Sequence, residues 1–220
     1  MADPNFKYCA LHYLNLWLTQ DKAPCEVLAG NNPELKLQQL KKAATAYRVA
    51  RNLPRKYDKE KEMVRYDPIL QVLDSLEQPN LQRDPLVPWI EKVRDQISAN
   101  YGNRDTLSLT TKFLWLKFKS PIIIFDSQAR QALARLCKCP LTSLGNLAKY
   151  YSLWREEFGR HEQEIRDACA SLPGLHEYAV DPGTATRDYV AGIASQQWFR
   201  ERVFDVWLWH RGDKEARQTT

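Results

Sequence analysis

Lys112 and Asp126 are the two residues whose types and spacing could support amine chemistry. Lys112 lies in residues 107–119, where apolar side chains leave almost no polar side at about 100° per residue. We therefore expect a helix that is buried on most faces, with Thr110 and Lys117 at its solvent edge. Burial disfavours the charged ammonium, so Lys112 is expected to present a neutral, nucleophilic amine unless a carboxylate pairs with it.

Asp126 is the carboxylate that chain geometry can bring back to Lys112. From residue 112 to 119 a helix rises about 10 Å, and after a turn at Ser120–Pro121 an extended run to Asp126 covers about 16 Å. Asp126 also precedes a helical pattern, so we expect it to be an N-cap whose carboxylate stays ionised. The alternative is an ordinary N-cap beside a lysine that reaches solvent or forms a structural ion pair.

The elements that must position these two residues are predicted to be helices. Hydrophobic composition is 44%, which is typical of a globular chain. Pro24 and the Gly30–Pro33 cluster are expected to break the chain, and the solitary extended run 121–125 implies no sheet. Helical spacing predicts helices over residues 6–20, 33–52, 68–76, 87–100, 107–119, 127–136, 141–158, 161–171 and from 184 or 187 to 210.

This pattern predicts an all-α, many-helix globular fold. We expect one helical domain over residues 1–220, or two lobes, 1–105 and 106–220, around a central cleft. Five cysteines at irregular spacing argue against a secreted disulfide framework, and no apolar run is long enough to cross a membrane. The N-terminus also lacks the pattern of a secretion signal. A cytoplasmic, monomeric protein is expected.

Several classes of site are not expected. The four histidines have no HxxxH or HxH spacing, and Cys137 and Cys139 are the only close cysteine pair, so neither a metal nor a cofactor is predicted. The chain also has no glycine-rich phosphate loop and no GxSxG turn. These absences argue against nucleotide hydrolysis and serine esterase chemistry.

One basic segment carries the excess positive charge of the chain. The formal net charge is +5, and residues 33–65 contain ten Lys or Arg against four Asp or Glu. A local excess of this kind is a candidate phosphate-binding surface, for which we nominate Lys41, Lys42 and Arg48, with Lys36 on the flank of the same helix. The alternative is a solvated helix face without a partner.

The run TKFLWL, a short turn and then IIIFDSQAR together resemble the catalytic segment of a known enzyme family. The family comprises the oxoguanine-glycosylase-like members of the helix-hairpin-helix DNA glycosylase superfamily, and the resemblance is close over residues 107–130. It implies that the Lys112 amine attacks the sugar C1′ of a nucleotide flipped out of duplex DNA. It also implies that Asp126 stabilises the developing positive charge and assists proton transfer, with a Schiff base and strand cleavage as further steps.

The chain departs from that family pattern at three points. No glycine-rich hairpin precedes Lys112, Gln128 stands where better-known members have a histidine, and the four-cysteine motif of some relatives is absent. DNA is therefore expected to be gripped differently. The expected substrate is a modified base other than standard oxidised guanine, in a setting such as defence against modified foreign DNA.

An extruded base needs aromatic or apolar walls, and the resemblance implies that the C-terminal helix supplies part of them. Trp198, Arg202, Asp205 and Trp209 share one helix stripe, for which an ion pair flanked by core aromatics is the alternative. Arg130 is either a phosphate contact or a surface arginine. The predicted substrate-binding residues are Trp115, Leu116, Gln128, Arg130, Trp198, Arg202, Asp205 and Trp209.

The rival hypothesis is a non-catalytic helical module that binds nucleic acid or a protein partner. In that module Lys112 and Asp126 would form only a buried ion pair.

Overall fold

A computed structural model of the protein describes residues 4–54, 57–59, 63–80, 82 and 85–213. These residues are helical apart from connecting segments and one short antiparallel pair of strands, β1 (Tyr57–Asp58) and β2 (Met63–Val64). The all-helical prediction is thereby confirmed. The helices are α1 (Phe6–Leu16), α2 (Lys22–Leu28), α3 (Pro33–Ala46), α4 (Asp67–Asp74), α5 (Leu86–Ala99), α6 (Leu107–Phe118), α7 (Ser127–Leu136), α8 (Leu147–Ser171), α9 (Arg187–Ala194) and α10 (Gln197–Asp213).

Polar residues start five of these helices by accepting a backbone N–H bond from the first turn. Such a bond satisfies a donor that has no partner inside the helix. Pro33 adds a residue whose fixed φ suits the first helical position of α3. None of the helices among the described residues is both long and apolar enough to span a bilayer. The N-capping residues are Asn5, Asn32, Asp126, Asn146 and Thr186.

The chain divides into two compact units whose boundaries differ from the predicted lobes 1–105 and 106–220. One unit combines the N-terminal residues up to Thr19 with those from Phe125 onward, and the other runs from Gln20 to Ile124. The physical reason is that α1 packs on α8 and α10, so the first helix completes the core of the C-terminal residues. The two are called the terminal unit and the central unit below.

Helix α10 forms the middle of the terminal unit. It packs against α7, α1 and α8, and residues 201–208 are buried without interruption over more than two turns, so every face of that stretch is covered. Aromatic rings fill the spaces between the helices. Tyr13 lies 4.9 Å from Phe199, and Trp154 stacks on Phe158 at 5.2 Å.

Helix α6 forms the middle of the central unit, where it packs against α2 and α5. Residues 109–116 are all buried, which confirms the predicted burial on most faces. The predicted solvent edge is wrong for Thr110, which is fully buried, because packing on both sides leaves that edge no access to water. Lys117 is half-buried and donates a hydrogen bond from Nζ to the Leu73 carbonyl at 2.6 Å.

Several predicted helix boundaries are wrong because single residues that were expected to break a helix do not break it here. Pro24 does not break the chain: it lies in the first turn of α2, where a missing N–H costs little. A π-helical turn, Trp17–Asp21, separates α1 from α2. Residues 141–158 and 161–171 do not form two helices, because α8 runs through Gly159.

The ends of two other predicted helices also move. Helix α3 ends at Ala46 instead of residue 52, and Arg48 just beyond it has a φ of 54°. The predicted last helix is two helices, α9 and α10, separated at Ser195 and Gln196. Residues 214–220 of the predicted polar tail lie outside the described residues.

At Gly212 the backbone of α10 lies close to the backbone of α7. A Cβ built on Gly212 would lie 2.2 Å from the Gln128 carbonyl oxygen and 2.7 Å from its carbon, so backbone would have to move. Gly212→Ala is expected to lower the free energy of unfolding by about 1–3 kcal/mol, measured by urea denaturation.

Gly159→Ala is the matched control for this prediction. Gly159 lies inside α8 and a Cβ there would have no heavy atom within 4 Å. Because alanine is the better helix former by about 1 kcal/mol, this variant should be more stable than the wild type. A Gly212→Ala variant that also gains stability would contradict the close helix crossing.

Candidate functional site

Lys112 is buried inside the central unit with its amine held in place. The residue is 3% exposed, and its Nζ donates a hydrogen bond to the Ser108 hydroxyl oxygen at 2.9 Å, one helical turn earlier. The same Nζ lies 5.8 Å from the centre of the Tyr47 ring. The electron-rich face of an aromatic ring attracts a cation, so this neighbour favours the charged amine while burial disfavours it.

Tyr47 lies near Lys112 and is hydrogen-bonded to Asp21, and sequence reasoning missed both residues. The Tyr47 hydroxyl donates a hydrogen bond to Asp21 Oδ1 at 2.7 Å, and Asp21 is almost fully buried. The two residues come from the π-helical turn and from the end of α3. No local pattern connects either of them with Lys112, so spacing along the chain gives no signal for the grouping.

Trp115 and Leu116, which were predicted to line a base pocket, lie on α6 beside Lys112. Both side chains are completely buried, as are Phe113 and Leu114 between them and the lysine. In this conformation the two residues act as core and present no surface to solvent. A base could contact them only after the central unit opens.

Asp126 is the N-cap of α7, as the sequence predicted. Its Oδ1 accepts a hydrogen bond from the Gln128 backbone N–H at 2.9 Å, and its side chain is partly exposed. The neighbouring Phe125 packs edge-on against Tyr150 at 5.1 Å. Burial raises the pKa of Tyr150 well above its ordinary value, and the charges of Asp205 and Asp126 raise it further.

Gln128 and Arg130 are both half-buried in the first turn of α7. The Arg130 guanidinium lies over the Phe125 ring at 4.9 Å and donates a hydrogen bond to the Leu141 carbonyl at 3.3 Å. Arg130 therefore has internal contacts while remaining partly exposed, and these contacts do not decide between the two predicted roles, a surface arginine or a phosphate contact. Gln128 lies where α10 crosses α7 at Gly212.

Arg202 and Asp205 form a buried ion pair on α10. Arg202 Nη1 lies 2.9 Å from Asp205 Oδ2, and Trp154 Nε1 donates a hydrogen bond to the other carboxylate oxygen at 2.8 Å. The guanidinium also lies 5.2 Å from the centre of the Tyr13 ring. This geometry fits the predicted ion pair flanked by core aromatics and gives neither group an open face.

Trp198 and Trp209, at the two ends of the same stripe, are more exposed than the residues in its middle. Trp198 is half-buried, and its ring lies 4.6 Å from that of Trp17. Trp209 is exposed and packs edge-on against His210 at 5.2 Å. His210 Nε2 in turn shares a hydrogen bond of 2.9 Å with His12 Nδ1, a pairing that the sequence did not indicate.

The predicted phosphate contacts Lys41, Lys42 and Arg48 are all exposed. The predicted position of Lys36 on the flank of α3 is wrong, because Lys36 is buried and forms an ion pair with Asp74 at 2.6 Å. It belongs to the inward face of α3, together with Leu40 and Ala43. Five charged residues of the basic segment lie outside the described residues, namely Arg55, Lys56, Glu60, Lys61 and Glu62.

Metal ligation has little support in the part of the chain that the structure describes. No group of three or more His, Cys, Asp or Glu side chains converges there. Cys137 lies 3.6 Å from a Glu157 carboxylate oxygen, and burial together with that carboxylate raises the pKa of its thiol to about 11. A protonated thiol is a poor metal ligand.

Comparison of the chain with protein-family models, with curated proteins and with solved structures finds no match. The assignment of function therefore depends on the chain's own residues.

Asp205 gives a pH dependence that can be measured. Burial, only partly offset by Arg202, raises its pKa from 3.8 to about 6. Between those pH values the folded protein holds a proton that the unfolded chain has lost, so stability falls as the pH rises. The free energy of unfolding of the wild type, relative to Asp205→Asn, is expected to fall by about 1–3 kcal/mol from pH 4 to pH 7.

The asparagine variant is a suitable reference because its amide oxygen still accepts the Trp154 hydrogen bond and does not titrate. Urea denaturation at a series of pH values gives the difference directly. A difference that stays flat or grows with pH would show that the pKa of Asp205 is not raised.

Proposed function

We propose that this protein is a DNA glycosylase that flips a modified base out of duplex DNA and excises it. Lys112 is the nucleophile and Asp126 the electrostatic and proton-transfer partner. The burial of Lys112 to 3% exposure, with its amine oriented by Ser108, is the observation that carries the proposal. The resemblance of residues 107–130 to the oxoguanine-glycosylase-like enzymes gives that buried amine its role.

The proposed reaction uses the amine lone pair. The Lys112 nitrogen forms a bond to C1′ of the sugar, and the bond between C1′ and the base nitrogen breaks, so that its electron pair leaves with the base. The attacking nitrogen then loses a proton, and opening of the sugar ring gives a Schiff base. A carboxylate stabilises the positive charge that develops on the sugar and accepts a proton.

Two features of Asp126 support this second role. As an N-cap it is held by a backbone N–H, and the positive end of the α7 dipole favours its ionised form. Asp126 is also partly exposed. Together these features provide a fixed anion, which is what stabilisation of a cationic transition state needs.

A second candidate is a non-catalytic helical module that binds nucleic acid or a protein partner. The complete burial of Trp115 and Leu116 favours it, because the walls proposed for the base have no open surface in this conformation. In this case the polar groups around Lys112 only compensate for the loss of water around a buried charge.

Borohydride trapping distinguishes the two candidates. The wild type is expected to give a covalent adduct on at least one member of a panel of duplexes with different modified bases. Lys112→Gln, which keeps a donor for Ser108, should bind the same DNA and give no adduct. Asp126→Asn keeps the N-cap and should slow adduct formation by about 10²–10⁴-fold.

Lys117→Gln is the matched control because Lys117 lies on the same helix and burial lowers its pKa. It should trap as the wild type does. Loss of the adduct in Lys117→Gln but not in Lys112→Gln would identify Lys117 as the nucleophile. No adduct and no base release with any duplex would favour the non-catalytic module, provided that the wild type binds the DNA.

The basic surface can be tested by salt dependence. A triple charge reversal, Lys41→Glu with Lys42→Glu and Arg48→Glu, is expected to reduce the slope of log K against log salt by about 2.7 if all three residues contact phosphate, because each contact contributes about 0.9. Fluorescence anisotropy with a labelled duplex at several salt concentrations measures that slope.

A control with the same change in net charge separates local contact from overall attraction. Lys7, Lys149 and Arg187 are exposed and lie in the terminal unit. Reversing these three should leave most of the slope intact. Equal slopes in the two triple variants would rule out α3 as the phosphate-binding surface.

A further inference from the structure

The hairpin of β1 and β2 exposes an apolar pair that the fold does not use. Tyr57 and Val64 are directly opposite each other in the antiparallel pairing, so their side chains lie on the same face. They are 51% and 48% exposed. Single exposed apolar residues are ordinary, but a paired aromatic and aliphatic side chain on a short hairpin forms a small platform.

The base of this hairpin is anchored to the central unit. Arg65, which follows β2, donates hydrogen bonds from Nη2 to the carbonyls of Ala50 and Leu53. The Arg65 carbonyl accepts a hydrogen bond from the Tyr101 hydroxyl at 2.7 Å. Because Tyr101 is buried, the end of the hairpin is fixed to the core. The exposed pair is therefore presented by an anchored element.

The sequence segment that contains the pair carries an excess of positive charge. Among the described side chains of residues 33–65, five exposed residues are cationic, whereas Glu34 is the one exposed acid. The contacts of Arg65 connect the hairpin to the segment that follows α3. An aromatic ring within a basic surface is the combination that binds bases by stacking and phosphates by charge. The five cations are Lys41, Lys42, Arg48, Arg51 and Lys59.

We propose that this hairpin binds DNA at an unpaired base, with the Tyr57 ring stacked on the base and Lys59 next to the phosphate backbone. The inference rests on the DNA binding in the proposed function but not on base excision. Val64 supports the ring from the opposite strand. The occupant is a nucleic acid, because both the exposed ring and the local excess of positive charge suit a ligand that carries flat bases and negative charge.

The proposal predicts a preference for opened DNA that depends on one ring. The wild type should bind a duplex with a short mismatched bubble about tenfold more tightly than the fully paired duplex, as expected for one base–aromatic stack. Tyr57→Ala should remove this preference, while Tyr57→Phe, which keeps the ring, should retain it. Tyr178→Ala is the control, since Tyr178 is 71% exposed and lies outside the basic segment.

Anisotropy titrations with both DNAs, in the presence and absence of polyglutamate as a competitor, decide the matter. Equal preference in Tyr57→Ala and the wild type would overturn the proposal, as would a wild type without preference or without any DNA binding. Polyglutamate that competes as well as DNA would indicate a surface for acidic proteins and would also overturn it. A Lys112-dependent borohydride adduct on the same DNAs tests excision separately.

Discussion

The burial of the Lys112 side chain is the constraint around which the central unit is organised. A buried lysine costs several kcal/mol unless hydrogen bonds and nearby electron density compensate. Ser108 on the preceding turn of α6 provides a hydrogen-bond acceptor, and Tyr47 from the end of α3 provides the face of a ring. A well-packed apolar residue would give a core of equal or greater stability. Lys112 lies in a stretch, residues 107–116, that is otherwise apolar or hydroxylic, and the proposed catalytic role would explain its presence there.

The terminal unit also buries charge, but in a different way. Arg202 and Asp205 are three residues apart on one helix, and each finds its counter-charge within its own turn. Trp154 and Tyr13 occupy the remaining faces of the pair. A pair closed in this manner has few positions left for a ligand. Helix α10 therefore contributes mainly to the core of its unit, and under the proposed function a base would contact this helix near Trp209, which is exposed.

Local patterns in the sequence determined much of this fold, and non-local contacts determined the rest. The range and burial of α6 and the N-cap at Asp126 follow from apolar periodicity and from capping, which depend on neighbours within one or two turns. The grouping of Asp21, Tyr47 and Lys112 depends on chain reversals between α2, α3 and α6, which no spacing encodes. The terminal unit could not be predicted for the same reason, since α1 joins α10 from the opposite end of the sequence. The resemblance is close only over residues 107–130 and gave no information on how the other helices pack.

The basic segment shows why a count of charges overestimates a binding surface. Lys36 satisfies helical spacing with Leu40 and Ala43, so it turns inward and pairs with Asp74. Lys117 lies close enough to feel both charges: its pKa is lowered chiefly by burial and also by Lys36, while Asp74 opposes the shift. The carboxylate of Asp74, which is itself exposed, thus interacts electrostatically with both lysines. Among the described residues of 33–65, the exposed positive charge lies on the outer face of α3, at its C-terminal end and on the hairpin that follows, which is a narrower surface than the sequence implied.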